Sequence, residues 1–248
     1  MDLKWPDMPH WLIVLAFFTT MANIVCGILG MFAALDNRIS DAFKLLLLGA
    51  VLDFLDGRIA KMAPTESDIG VYADSVADVV TFAALPGFMI LNMDKIPDLD
   101  LPISLALILA LLYTVCGWYR LIQFAAKPTG VFFIGLPAPA AAMMVGSALV
   151  VGLDNEFDWV MPPELLVVVC IACGVLMVTK IPYPSPKRGM TWDLVLIFIA
   201  QLSGAWYVGF GTSLAILSVL ICSFLYVAFG PLYYLTYKPE NGPTGPPS

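Results

Sequence analysis

The chain has 248 residues, of which 60% are hydrophobic and only 12% charged. With a mean hydropathy of +0.88, it is far too apolar for an ordinary soluble domain and reads as a polytopic membrane protein. The net charge of −7 gives no footing for nucleic-acid binding.

Residues 1–10 form a short polar N-terminal segment, and the apolar run 11–35 is too long for a signal-peptide core, so it is expected to be a retained spanning helix. Its Thr20-Met-Ala-Asn23-x3-Gly27 puts two polar groups and a glycine at lipid depth, where interhelical packing is one reading. Further spans are expected over about 41–63, 69–93, 101–124, 132–153, 159–179, 191–210 and 213–237. The fold class is therefore all-α, with about eight transmembrane helices in one domain over 11–237. The Gly/Pro-rich stretch 238–248 reads as a disordered tail. The prolines of Leu136-Pro137-Ala138-Pro139 should interrupt the start of the fifth span, freeing backbone groups that something else must satisfy. Cys26, Cys116, Cys170, Cys173 and Cys222 all lie in apolar segments. Cys170-x-x-Cys173 has neither a second pair nor a histidine nearby and reads as packing rather than a redox or zinc site.

The second and third spans carry the chemistry. Asp53 and Asp56 are three apart and Asp74 and Asp78 four apart, so on helices each pair shares one face. Two such helices facing each other bring four carboxylates together, next to the short 64–68 connection and so near one membrane surface. Ionisable groups at membrane depth are costly and mark functional sites, and too few bases lie nearby to pair them all. Hard divalent cations take oxygen ligands, and Mg²⁺ is usually held by a few carboxylates plus substrate phosphates. Paired metals assist phosphoryl displacement. Gly57 and Gly70 remove side chains where helices, or a helix and a ligand, come close, and Arg58 and Lys61 offer charge to phosphate. A metal-dependent phosphate site near a membrane face follows from these residues.

The whole stretch resembles the signature of the CDP-alcohol phosphotransferase family, D-x2-D-G-x2-A-R-x8-G-x3-D-x3-D. It matches at Asp53, Asp56, Gly57, Ala60, Gly70, Asp74 and Asp78, with Lys61 in place of the signature's arginine. Lysine keeps the charge and loses the planar two-pronged contact. The resemblance implies a CDP-activated lipid whose diphosphate is bridged by two ions, Mg²⁺ or Mn²⁺. Asp53, Asp56 and Asp74 would be the main ligands and Asp78 a ligand or general base. Gly57, Ala60, Lys61 and Gly70 would lie at the CDP-lipid, as would Thr20 and Asn23, since family members often carry a similar pattern in the first helix. Asp74-Ser75-x2-Asp78-x3-Phe82-x3-Pro86 and Phe133-x-Gly135-Leu136-Pro137-x-Pro139-Ala140-Ala141 are similar to the phosphatidylserine and archaetidylserine synthase branch. That branch implies serine as the acceptor and commonly a homodimer. Related synthases often show Arg-Leu-Ala-Arg-Phe-Asn after the fourth span. Here Arg120-Leu121-Ile122-Gln123-Phe124-Ala125 lacks the second arginine and the asparagine. Arg120 and Lys127 are candidates for the serine carboxylate or lipid phosphate; their bland reading is ordinary basic loop charge.

Eight spans put both termini on one side. Nine of the twelve Lys/Arg fall on that side: Lys4, Arg58, Lys61, Arg120, Lys127, Lys180, Lys187, Arg188 and Lys238. The positive-inside rule then makes the termini and the four carboxylates cytoplasmic, in the cell membrane. The rival reading from another class is a cation-coupled transporter, which expects its acids near the bilayer midplane on discontinuous helices. Transfer to another alcohol, such as inositol phosphate, glycerol phosphate or choline, is the rival within the enzyme class.

Overall fold

The computed structural model describes residues 10–62, 68–95, 101–126, 132–153, 162–184 and 192–236. Helix α1 (His10–Leu35) lies along α2 (Ile39–Met62). The third span starts as α3 (Asp68–Asp78), widens into a π-turn (Val79–Ala84), and continues as α4 (Leu85–Ile90) and a 3₁₀ turn (Leu91–Lys95). Then follow α5 (Ile103–Ala126), strand β1 (Phe132–Ile134), α6 (Ala138–Gly152), α7 (Pro163–Val178), strand β2 (Pro182–Pro184), α8 (Trp192–Phe210) and α9 (Ser213–Thr236). The protein is an all-α polytopic membrane bundle. Among the described residues, four helical stretches are long and apolar enough to cross a bilayer, 14–35, 72–95, 103–125 and 213–232; α6 and α7 are shorter apolar helices.

Helix α6 is the inner helix. It is buried nearly throughout, from Ala138 to Val151, and packs against α2, α7 and α9. By contrast, α5 turns Ile103, Ile108, Leu111, Val115 and Trp118 outward. In lipid such exposure is free of penalty, and helix association rests instead on close packing and hydrogen bonds.

Two departures from regular helix have local causes. Pro86 has no N–H and its ring crowds the carbonyl of Phe82, so the preceding turn cannot stay α-helical without strain. The chain widens there, and a hydroxyl of α5 comes to the freed carbonyl: Tyr113 donates to Phe82 O at 3.4 Å, while Thr114 donates chiefly to Ala110 O of its own helix at 2.8 Å, with Ala83 O at 3.4 Å.

The second departure corrects the expected fifth span, which begins at Ala138 rather than Phe132. Residues 132–134 form a short antiparallel ribbon with 182–184, pairing Phe133 with Tyr183. Gly135 then turns at φ 81°, where a Cβ would also lie 2.8 Å from the carbonyls of Met177 and Thr179. Its N–H donates to Ile181 O at 2.7 Å, and that of Leu136 donates to Leu176 O at 3.0 Å. These are the partners the interrupted helix start requires. Helix α7 opens at Pro163, and the expected start of the sixth span at 159 lies outside the described residues.

Cys170 and Cys173 are buried free thiols, and Cys170 Sγ lies 3.8 Å from Met93 Sδ, which is apolar packing. At the end of the bundle where α1 meets α2, Asn92 donates to Ala34 O at 3.0 Å, and Lys95 donates to Asn37 Oδ1 and to Asn92 Oδ1.

Candidate functional site

Helices α2 and α3 bring three carboxylates to one point. Asp53, Asp56 and Asp74 each offer an oxygen within 4.8 Å of the others. Asp78, the last residue of α3, lies one helical turn beyond Asp74, and its carboxyl interacts electrostatically with that of Asp53. The three- and four-residue spacings produce this cluster because each pair projects from one face of its helix. The short connection 64–68 expected between those helix ends lies mostly outside the described residues.

Among the described residues, Asp53, Asp74 and Asp78 are half-buried and Asp56 is buried. Asp56 is 3% exposed. Its Oδ2 accepts a hydrogen bond from Thr20 Oγ1 at 3.0 Å, while Oδ1 has no partner. Asp78 Oδ1 is also buried without a partner. Around the start of α2, ion pairs join Arg38 to Asp36 and Asp41, and Lys44 to Asp41. Arg58 stacks over the Phe54 ring at 4.6 Å. Carboxylates packed together out of water repel one another unless protons or a cation intervene. Orphaned buried acceptors and an all-oxygen donor set fit a hard divalent cation of the Mg²⁺ or Mn²⁺ kind.

The remaining sequence candidates fall in different places. Gly57 sits beside open space: among the described residues, no atom outside its own helix backbone and chain neighbours comes within 4 Å of where its Cβ would be. Its missing side chain leaves room there for a ligand. Gly70 lies exposed in the first turn of α3. Ala60 and Lys61 belong to the last turn of α2, but the placement of their side chains lies outside the described residues, as does all of Lys127.

Thr20 touches the cluster directly through Asp56. Asn23 does not: it is fully buried, and its Oδ1 accepts from Thr81 Oγ1 at 2.8 Å. Arg120 is no solvated loop charge. It is 3% exposed, its Nε donates to Leu136 O at 3.3 Å, and its guanidinium lies 5.9 Å from the Phe124 ring. It thus ties α5 to the turn that precedes α6. Gln123, in place of an arginine common in related sequences, donates to Tyr119 OH at 2.6 Å on the surface.

Thr81 is the contact the sequence analysis missed. Its only signal is a buried-type hydroxyl three residues beyond Asp78 in an apolar run.

Comparison with known proteins agrees with this geometry. A family model described as CDP-alcohol phosphatidyltransferase matches residues 13–179, which include the whole cluster. The chain is 32% identical over 174 residues, 70% of this chain and 75% of the relative, to a CDP-diacylglycerol–serine O-phosphatidyltransferase of Methanocaldococcus jannaschii. It is 32% identical over 170 residues to the protein of that name from Bacillus subtilis, covering 68% of this chain and 89% of the relative. One from Helicobacter pylori is 30% identical over 195 residues, 74% and 76% of the two chains. A match over more than half the chain, together with these identities, shows that the chain belongs to the CDP-alcohol phosphatidyltransferase family.

Proposed function

We propose that the protein is a membrane enzyme that transfers a phosphatidyl or archaetidyl group from a CDP-activated lipid to the hydroxyl of L-serine, releasing CMP. The observation that carries this is the meeting of Asp53, Asp56 and Asp74 oxygens within 4.8 Å on the two motif helices. The names of the relatives support serine as acceptor.

Asp53, Asp56 and Asp74 would hold the divalent ions, Mg²⁺ or Mn²⁺, with Asp78 able to contribute. When bound, such ions supply positive charge to the diphosphate. Thr20 fixes the Asp56 carboxylate by its hydrogen bond. The open space at Gly57 takes the substrate's phosphate region, beside Gly70, Ala60 and Lys61. The serine hydroxyl oxygen bonds to the lipid-side phosphorus, the bond from that phosphorus to the diphosphate bridging oxygen breaks, and CMP departs with that oxygen. Asp78 accepts the hydroxyl proton. Arg120 and Lys127 are the proposed contacts for the serine carboxylate or a phosphate. Arg120 would present its guanidinium donors to that anion. The resemblance further leads us to propose a homodimer.

The test uses purified protein, CDP-lipid, Mn²⁺ and a panel of labelled alcohols. Label from serine is expected in lipid with equimolar CMP, and label from glycerol phosphate or inositol phosphate is not. Equal or better use of another alcohol overturns the serine assignment and leaves the family intact.

We also propose that the site faces the cytoplasm, on the charge asymmetry of the loops. A cysteine placed at Thr65 should resist an impermeant thiol reagent in intact cells, and one at Asp98 should react. The opposite labelling pattern reverses the orientation.

A further inference from the structure

The aim of Asp74 and Asp78 depends on the π-turn that directly follows them. An α-helix advances about 100° per residue, and a π-turn accommodates one residue more than an α-turn. The position of that extra residue therefore decides how the carboxylate-bearing α3 is rotated relative to α4. Pro86 accounts for a widened turn upstream of itself, but it does not decide how far the widening reaches.

Thr81 lies at the middle of the turn and is fully buried. Its hydroxyl donates to Asn23 Oδ1 at 2.8 Å, with Asn23 O at 3.3 Å as the weaker acceptor. The backbones of α1 and α2 close around this contact. A Cβ at Gly49 would fall 2.7 Å from Thr81 Cγ2 and 2.8 Å from Asn23 Oδ1, and one at Gly27 would fall 2.8 Å from Thr81 Oγ1. Asn23 Nδ2 is buried without a partner. A buried amide left half-satisfied is a cost, and an apolar side chain would pack there without it. The oxygen half of the amide is thus the half in use, and what it holds is Thr81. The same helices, one turn along α1 and one to two turns along α2, make the Thr20–Asp56 bond and carry Asp53 and Asp56 of the carboxylate cluster.

We infer that Thr81, gripped by Asn23, is a positioning residue: it sets the register of the π-turn and thereby turns Asp74 and Asp78 toward Asp53 and Asp56. The inference rests on the reading of that cluster as a metal site, and it deepens it. It assigns Asn23 to the support of the site rather than to contact with substrate.

Two variants of the full-length protein test it. Thr81→Val keeps the shape and removes the hydroxyl; Thr81→Ser keeps the hydroxyl and removes the methyl. Binding of Mn²⁺ is followed by electron paramagnetic resonance of the free ion, and amide hydrogen exchange is measured over 72–85 in EDTA. Thr81→Val is expected to weaken Mn²⁺ binding by about tenfold, the low end for loss of an outer support of a metal site. It should also speed exchange across the π-turn while the other helices stay protected. Thr81→Ser should match the unmodified protein in both. Unchanged Mn²⁺ affinity and exchange in Thr81→Val overturn the inference, as does a Thr81→Ser variant that behaves like Thr81→Val. If the unmodified protein binds no Mn²⁺, the metal reading fails, and the exchange contrast between the two variants alone decides the role of Thr81.

Discussion

Alanine at Asp53, Asp56 or Asp74 is expected to abolish transfer, and EDTA to do the same, reversibly, to the unmodified protein. Each of the three supplies an oxygen to a cluster in which all lie within 4.8 Å. Removing one takes away a proposed ligand and loosens whatever charge the cluster concentrates. Several kcal/mol of transition-state stabilisation come from a bound cation, and each 1.36 kcal/mol is a factor of ten. The loss should therefore be at least about 10³-fold. The same variants should be no less stable in EDTA than the unmodified chain. There the carboxylates face one another with Asp56 Oδ1 and Asp78 Oδ1 unpartnered, so deleting one relieves repulsion as well as desolvation. Initial rates of CMP release and thermal midpoints, each with and without EDTA, check both parts. Full activity in EDTA would sink the metal reading.

Asp78→Asn should separate proton transfer from binding. Asp78 ends α3 one helical turn after Asp74, with one buried oxygen lacking a partner. Asparagine nearly preserves the shape and keeps an oxygen, but it cannot take up a proton at neutral pH. General-base catalysis contributes about 10²–10⁴-fold, and turnover should fall by that order while affinity for CDP-lipid changes much less. Asp53→Asn should instead weaken metal and nucleotide binding along with rate. CDP-lipid titration and single-turnover CMP release on both variants make the comparison. If Asp78→Asn loses binding as severely as Asp53→Asn, Asp78 acts chiefly as a ligand and the proton goes elsewhere.

Much of this architecture is local in origin and so was legible in the residues. Long apolar runs become helices because lipid leaves backbone groups no other partners. The spacings Asp53-x2-Asp56 and Asp74-x3-Asp78 commit each pair to one helix face whatever the rest of the chain does. Pro137 and Pro139 announce an interrupted helix start for the same covalent reason that produces it.

Where the freed groups go is another matter. The ribbon of 132–134 with 182–184, the Leu176 and Ile181 carbonyls that receive Leu136 and Gly135, and the Arg120 contact to Leu136 O join residues distant in sequence. No periodicity encodes such pairings. Arg120 shows the consequence, since a basic residue at a predicted helix end reads as a loop charge until the neighbouring turn is seen to bury it. Asn23 and Thr81 are 58 residues apart; the sequence marks Asn23 as a polar group in the first span and gives Thr81 no role. Only the tertiary packing of α1 and α2 against the π-turn, at glycines that let the backbones approach, places the amide against the hydroxyl. Side-chain spacing along one helix is a property of the sequence, whereas the rotation of one helix against another is decided by contacts between them.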